Sequence, residues 1–250
     1  MLGKLLKYEF KATGRVLVPI YILMLLAALV GGFTFGPNAG TFSVIIIMIF
    51  AGLATASIVL TIIITVQRFN NNLLTDEGYL MFTLPVSTTK LILSKLIVAF
   101  CWCLIGTIAG ILCGIAMGSQ AIPWSEVGFF FKELPRLFSM ITWKDWVLVI
   151  EFIVGSMVSY IIFVLVIYAS LSVSQLPFAC KHRKIASLGT FFIIYIIYSS
   201  MSGIIGNVFD PLTINSMELF MGIAVGLEIL VAVGLFFATR FILDRHLNLE

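Results

Sequence analysis

The chain has 250 residues, 61% of them hydrophobic and only 11% charged, and a mean hydropathy of +1.14. A soluble domain carries roughly 45–50% apolar and about 25% charged residues, so this composition excludes a soluble fold, a disordered chain, a secreted disulfide scaffold and a nucleic-acid binder. The net charge of +3 says little by itself, and its placement along the chain says more.

The first fifteen residues predict an amphipathic helix. At 100° per residue Lys4, Lys7, Lys11 and Arg15 share one stripe, and Leu2, Leu5, Leu6 and Phe10 share the opposite one. Such a helix lies in the headgroup plane with its lysines toward anionic lipid. Glu9 falls in the middle of the apolar face. It either snorkels to water or pairs with a buried cation such as Arg68.

Six runs follow that are long enough to cross about 30 Å of hydrocarbon, which takes roughly 20 helical residues. They cover residues 16–35, 41–66, 96–118, 147–174, 188–206 and 218–241. They are apolar all round and lack the alternation of a lipid-spanning sheet. Pro37, Pro85, Pro123, Pro135, Pro177 and Pro211 fall between the spans, and Pro19 is expected in the first turn of the first. The first run is too long for a signal-peptide core and follows a charged segment, so it reads as a span that is kept. The expected fold is all-α integral membrane: one transmembrane domain over 1–250, with six transmembrane helices and an interfacial helix over 1–15.

Orientation follows from lysine and arginine. Twelve of the fifteen lie at the N-terminus, at the C-terminus, or in the segments after the second and fourth spans. The opposite side holds Lys132, Arg136 and Lys144. Both termini are therefore expected to be cytoplasmic.

The second span carries Ser57, Thr61 and Thr65 at every fourth position. The fifth carries Tyr195, Ser199, Ser202 and Gly206 at 4-3-4 spacing. These hydroxyls either bond to their own helix carbonyls or form a mildly polar wall along a translocation path. The third span has Gly106, Gly110, Gly114 and Gly118, and the sixth has Gly222, Gly226 and Gly234. Small residues at every fourth position let helices approach closely in lipid, so close packing is expected there. Glu151 and Glu228 lie inside apolar spans, where an acid is expensive and is a functional candidate by default. Cys101, Cys103, Cys113 and Cys180 read as packing residues rather than metal or redox groups.

On the outer side, residues 119–146 hold Val127, Phe130, Phe131 and Leu134 at i, i+3, i+4 and i+7, an amphipathic helix. Pro123 suits its first turn, and Pro135 is expected to end it. Trp124, Trp143 and Trp146 flank it as an interfacial belt or as part of a lid.

The segment 67–95 joins the second and third spans. Asn70, Asn71 and Asn72 close the second span, and Ser87 or Thr88 is a good N-cap for the next helix. Between them lies a short apolar stretch from Tyr79 to Leu84, which either rests on the membrane surface or docks a soluble partner. The run Asp76-Glu77-Gly78-Tyr79, then Thr83-Leu84-Pro85-Val86-Ser87, then Leu93-Ser94-Lys95-Leu96 resembles permease subunits of type-two ATP-binding-cassette exporters. In that family an acid-Gly segment followed by Leu-Pro-(Val/Ile)-Ser forms the coupling helix between helices two and three.

The basic N-terminal helix and the six-span layout also match, and the chain looks most like small Gram-positive permeases that export peptides, bacteriocins and amphipathic toxins. It departs from several relatives in carrying its large external segment after the third helix. The resemblance implies a pair of permease chains above two copies of a P-loop ATPase, with ATP and Mg held by that partner. It implies coupling through Asp76, Glu77, Gly78, Tyr79, Phe82, Leu84 and Pro85, and a bacterial plasma membrane. It raises the pathway reading of Ser57, Thr61, Thr65, Tyr195, Ser199, Ser202 and Glu228.

The chain has no G-x-x-x-x-G-K-[ST] phosphate loop, so any ATP hydrolysis belongs to another chain. No pairing of His182 or His246 with acids suggests a membrane enzyme. The expectation is a transport subunit with no catalytic residue, no metal and no cofactor of its own, with lipid and a peptide substrate as further partners. The alternative is an ion-coupled transporter that uses Glu151 and Glu228.

Overall fold

In the computed structural model the described residues are 2–34, 40–74, 87–121, 124–176, 182–208 and 217–245. Within them lie α1 (Leu2–Thr34), α2 (Thr41–Leu73), α3 (Thr88–Ala121), α4 (Trp124–Met140), α5 (Trp143–Val173), α6 (Arg183–Val208) and α7 (Met217–Arg245). No strand occurs among the described residues. Six of these helices are long and apolar enough to cross a membrane, and the protein is an all-α, multi-pass membrane protein.

The helices overrun the spans expected of them. α1 and α2 have 33 residues each, roughly 50 Å at 1.5 Å per residue, against a core of about 30 Å. The amphipathic N-terminal segment is therefore not a separate helix but the first part of α1. Nothing breaks the helix at the junction: the Thr13 hydroxyl donates back to the Glu9 carbonyl at 2.9 Å. Lys4, Lys7, Lys11 and Arg15 are exposed, while Leu5, Leu6 and Phe10 are half-buried, as the stripe pattern requires.

Two proline expectations are corrected. Pro19 lies well inside α1, because the helix starts at Leu2. Pro135 lies inside α4, which continues to Met140. A proline removes one backbone donor, and each helix continues through it on the hydrogen bonds of the neighbouring turns. The cap signals are better realised. The Ser87 carbonyl accepts from Lys90 and Leu91, which starts α3 at Thr88. Asp145 Oδ2 accepts from the Thr142 N–H at 2.8 Å and from the Thr142 hydroxyl at the start of α5. The Ser43 hydroxyl donates to the Thr34 carbonyl at 2.7 Å, supplying one of the donors that the end of α1 lacks.

The chain divides into two compact units. The first, Gly3–Thr65 with Ile97–Met140, holds most of α1, α2 and α3 together with α4. One of its clusters is Leu17, Val98 and Trp102, with Phe10, Tyr21, Leu60 and Ile64 around them. The next is Met24, Ala28 and Cys113, with Phe50, Leu53 and Ala109 among its neighbours. Trp102 is the pin. Its indole N–H donates to Thr13 Oγ1 at 2.6 Å, and its ring lies 5.7 Å from Phe10 and 6.1 Å from Tyr21. Gly14 makes room for it, since a Cβ there would sit 3.3 Å from the indole.

The second unit, Val66–Leu96 and Ile141–Glu250 with Met1–Leu2, contains α5, α6 and α7 and the adjoining ends of α2 and α3. α5 packs against both α6 and α7. Phe69 stacks on Tyr168 at 4.0 Å and 11°, and both are fully buried. Lys95 is also buried, and its ammonium donates to the Arg68 carbonyl at 3.0 Å in the last turns of α2, where the helix dipole favours a cation.

Candidate functional site

The chemistry of the second unit lies where α5 meets α7. Glu151, Gly155 and Ser159 are four residues apart and share one face of α5. They meet α7 in register. A Cβ on Gly222 would lie 3.1 Å from Glu151 Oε1, and one on Gly155 would lie 3.2 Å from Val225. The Ser159 hydroxyl reaches both oxygens of Glu228, at 3.2 and 3.1 Å. The pairings advance together along both chains, so the two helices run parallel. Gly155 and Gly222 are the places where small residues permit the approach.

Glu228 receives a further hydrogen bond from the Tyr198 hydroxyl of α6 at 3.3 Å. The carboxylate is thus held by hydroxyls from two other helices. Beside it lies a cavity of about 290 Å³ lined by Tyr198, Met201, Ser202, Phe220, Ala224, Leu227, Glu228 and Val231. A second, more open recess of about 380 Å³ lies toward the Met217 end of α7, between Glu151, Glu218, Leu219, Gly222 and Ile223. Glu151 Oε2 is buried there without a hydrogen-bond partner among the described residues. Acids inside membrane helices mark substrate or ion paths, because an uncompensated charge in lipid is costly. Glu218, Glu151 and Glu228 lie progressively farther from that end, toward the middle of the α5–α7 contact.

The other expected site residues are distributed differently. Ser57, Thr61 and Thr65 donate to the carbonyls of Ala54, Ser57 and Thr61 at 2.7, 2.7 and 2.8 Å, and Ser57 and Thr65 are buried. Tyr195 is exposed and stacks on Phe191 at 6.2 Å. Ser199 is exposed, and Ser202 of the α6 stripe lines the cavity with Glu228. Glu9 is half-buried. Asp76, Glu77, Gly78, Tyr79, Phe82, Leu84 and Pro85 lie outside the described residues.

Within the chain the glycines of the two ladders divide. Gly106 faces the Tyr21 hydroxyl, 3.0 Å from the position a Cβ would take. Among the described residues Gly110, Gly114 and Gly118 meet nothing within 4 Å, and neither do Gly226 and Gly234. Within its own unit α3 presents Trp102, Ala109 and Cys113 to its neighbours. In the outer helix α4, Phe129 and Phe138 are exposed, and of the four stripe residues the Leu134 side chain alone is described and is half-buried. Trp143 is 78% exposed, so it stands clear of the chain's own core.

Sequence reasoning missed Ser159, Tyr198, Trp102 and Gly14. Ser159 had a signal, because it continues the Glu151–Gly155 stripe at the same spacing. Tyr198 stands four residues before Ser202 and could have been found from that spacing. Trp102 had none, since one tryptophan in an apolar run does not show which face is packed. Among the described residues no three His, Cys, Asp or Glu gather as metal ligands. No family model matches the chain, and neither a curated protein nor a solved structure matches it.

Proposed function

We propose that this chain is the membrane-spanning subunit of an ATP-driven exporter of hydrophobic or amphipathic peptides, acting by alternating access in a bacterial plasma membrane. The observation that carries the reading is the run from Asp76 to Leu96, whose acid-Gly and Leu-Pro-Val-Ser elements resemble the coupling segment of type-two exporter permeases. The basic residues gathered at the termini and around that segment support a cytoplasmic side for it and for both termini. A separate P-loop ATPase in two copies supplies ATP hydrolysis with its Mg, since this chain has no phosphate loop. Two copies of the permease enclose the path. Its mixed surface of hydroxyls, Tyr195 and aliphatic side chains suits a peptide better than a sugar or a bare ion.

The test is affinity purification of the tagged chain from its native membrane in mild detergent. A P-loop ATPase should accompany the wild type, and a chain carrying Tyr79→Asp and Phe82→Asp should lose it or hydrolyse ATP without export. Full retention of the ATPase and of coupled export by the double variant would reject the coupling assignment. Absence of any ATPase from the wild-type complex would reject the exporter.

A second reading is favoured by one specific observation, the buried Oε2 of Glu151, without a hydrogen-bond partner among the described residues and on the same helix face as Ser159, which holds Glu228. It is an ion-coupled transporter in which these acids carry the driving ion. Transport in proteoliposomes driven by an ion gradient without ATP would select it.

A further inference from the structure

We infer that the cavity beside Glu228 is a binding site for a primary alkylammonium group, the chemistry of a lysine side chain or a peptide amino terminus on an amphipathic cargo. The inference deepens the exporter reading and rests on it only for the identity of the cargo. The described contacts to Glu228 come from two hydroxyls, Ser159 and Tyr198, and none comes from a cation. Hydroxyls steady a carboxylate without neutralising it, and an intramembrane acid without a counter-charge is costly. A proton alone would answer the charge but would leave the adjoining space unexplained.

That space is about 290 Å³, enough for a short alkyl chain, and Met201, Phe220 and Leu227 give it apolar walls. The polar residues that line it carry oxygens: the carboxylate of Glu228 and the hydroxyls of Tyr198 and Ser202. An ammonium has three N–H donors and no acceptor, so a carboxylate and two hydroxyls in the lining of an otherwise apolar cavity match it. A quaternary ammonium has no N–H to give, and an alcohol has no charge. The bonding of Ser159 and Tyr198 holds the carboxylate at the edge of the cavity. Ligand selection then lies in the charge, the N–H donors and the length of the tail.

The test uses the full chain in phosphatidylcholine nanodiscs, titrated calorimetrically with n-octylammonium, n-octanol and octyltrimethylammonium, with empty discs subtracted. Octylammonium should show a saturable component with one site per chain, and the other two should bind at least about ten-fold more weakly, the loss expected when a charge-assisted hydrogen bond is removed. Glu228→Gln should weaken octylammonium by at least about ten-fold and abolish its preference over octanol. Tyr198→Phe and Ser202→Ala keep the cavity and should each weaken it by roughly three- to ten-fold, which keeps the test open if the glutamine variant does not fold. The inference is overturned if octanol or octyltrimethylammonium binds as tightly as octylammonium, if Glu228→Gln and Ser202→Ala both bind it like the wild type, or if a lipid tail or a second copy of the chain leaves no saturable site. The exporter reading stands or falls separately, on the ATPase that accompanies the chain.

Discussion

Trp102 and Glu228 put the same question to the two units of this molecule: how a polar group is held in a helical core that faces lipid. Trp102 is 4% exposed, gives its one donor to Thr13 and is covered by Phe10, Tyr21 and Gly14. Nothing polar on the ring is left to bind anything else. Glu228 accepts hydrogen bonds from two hydroxyls, has no cation against it among the described residues and faces a cavity. The first arrangement makes a joint and the second makes a site. Residue type alone does not separate them, since both are polar atoms on apolar helices; what separates them is whether donors and acceptors balance within the chain.

Breaking the joint should have the largest effect. Trp102→Ala removes the ring from a packed position and should cost about 3–5 kcal/mol, read as a fall in the midpoint of thermal unfolding in detergent. The finer question is how much the hydrogen bond adds, and the pair Trp102→Phe and Thr13→Val answers it. A double-mutant cycle should give a coupling of about 0.6 kcal/mol, the usual worth of such a bond between membrane helices. A Trp102→Ala chain as stable as the wild type would remove the pin from this description.

Glycines sharpen the comparison at the next level. Gly14→Leu drives side-chain atoms into the indole and should destabilise by about 1–3 kcal/mol. Gly110→Leu faces open space in its own chain and should not destabilise the isolated chain, keeping instead most of the gain in helix propensity, about 1 kcal/mol. Equal losses at the two positions would mean that the ladder on α3 is packed after all.

The smallest difference is expected in the other unit. Gly222→Ala puts a methyl group 3.1 Å from Glu151 Oε1 and forces the carboxylate to move, which opposes the gain in helix propensity. Gly226→Ala meets nothing and should keep that gain, about 1 kcal/mol. Thermal unfolding of the two variants should therefore separate them with Gly226→Ala the more stable. The reverse order would show that Glu151 does not rest on Gly222.

The site was only half legible in advance. Glu151 and Glu228 stand out in any reading, because acids are rare in apolar runs. Their settings do not, because Ser159 reaches Glu228 across 69 positions of chain and Tyr198 across 30. The hydroxyl stripe of α2 was legible as a spacing but not in its bonding. Ser57, Thr61 and Thr65 form a pattern conspicuous in sequence, yet each donates to its own helix backbone. Spacing reports which residues share a face and is silent on what that face meets.

Composition and hydropathy by themselves determined that the chain is an all-α membrane protein with six helices able to span. These are sums over local residues, and in lipid the backbone has few other ways to satisfy its hydrogen bonds. Local chemistry likewise marked the start of α3 at Ser87 and the amphipathic character of α4. The tertiary structure decided the rotation of each helix about its own axis. That rotation put Gly106 against Tyr21 and left Gly110 open, and it turned Glu228 toward Ser159, Tyr198 and a cavity. A helix that is apolar on every side carries no internal signal for which side to bury. The choice is made by the fit of large side chains such as Trp102 into the space left by small ones such as Gly14, on helices far apart in the chain.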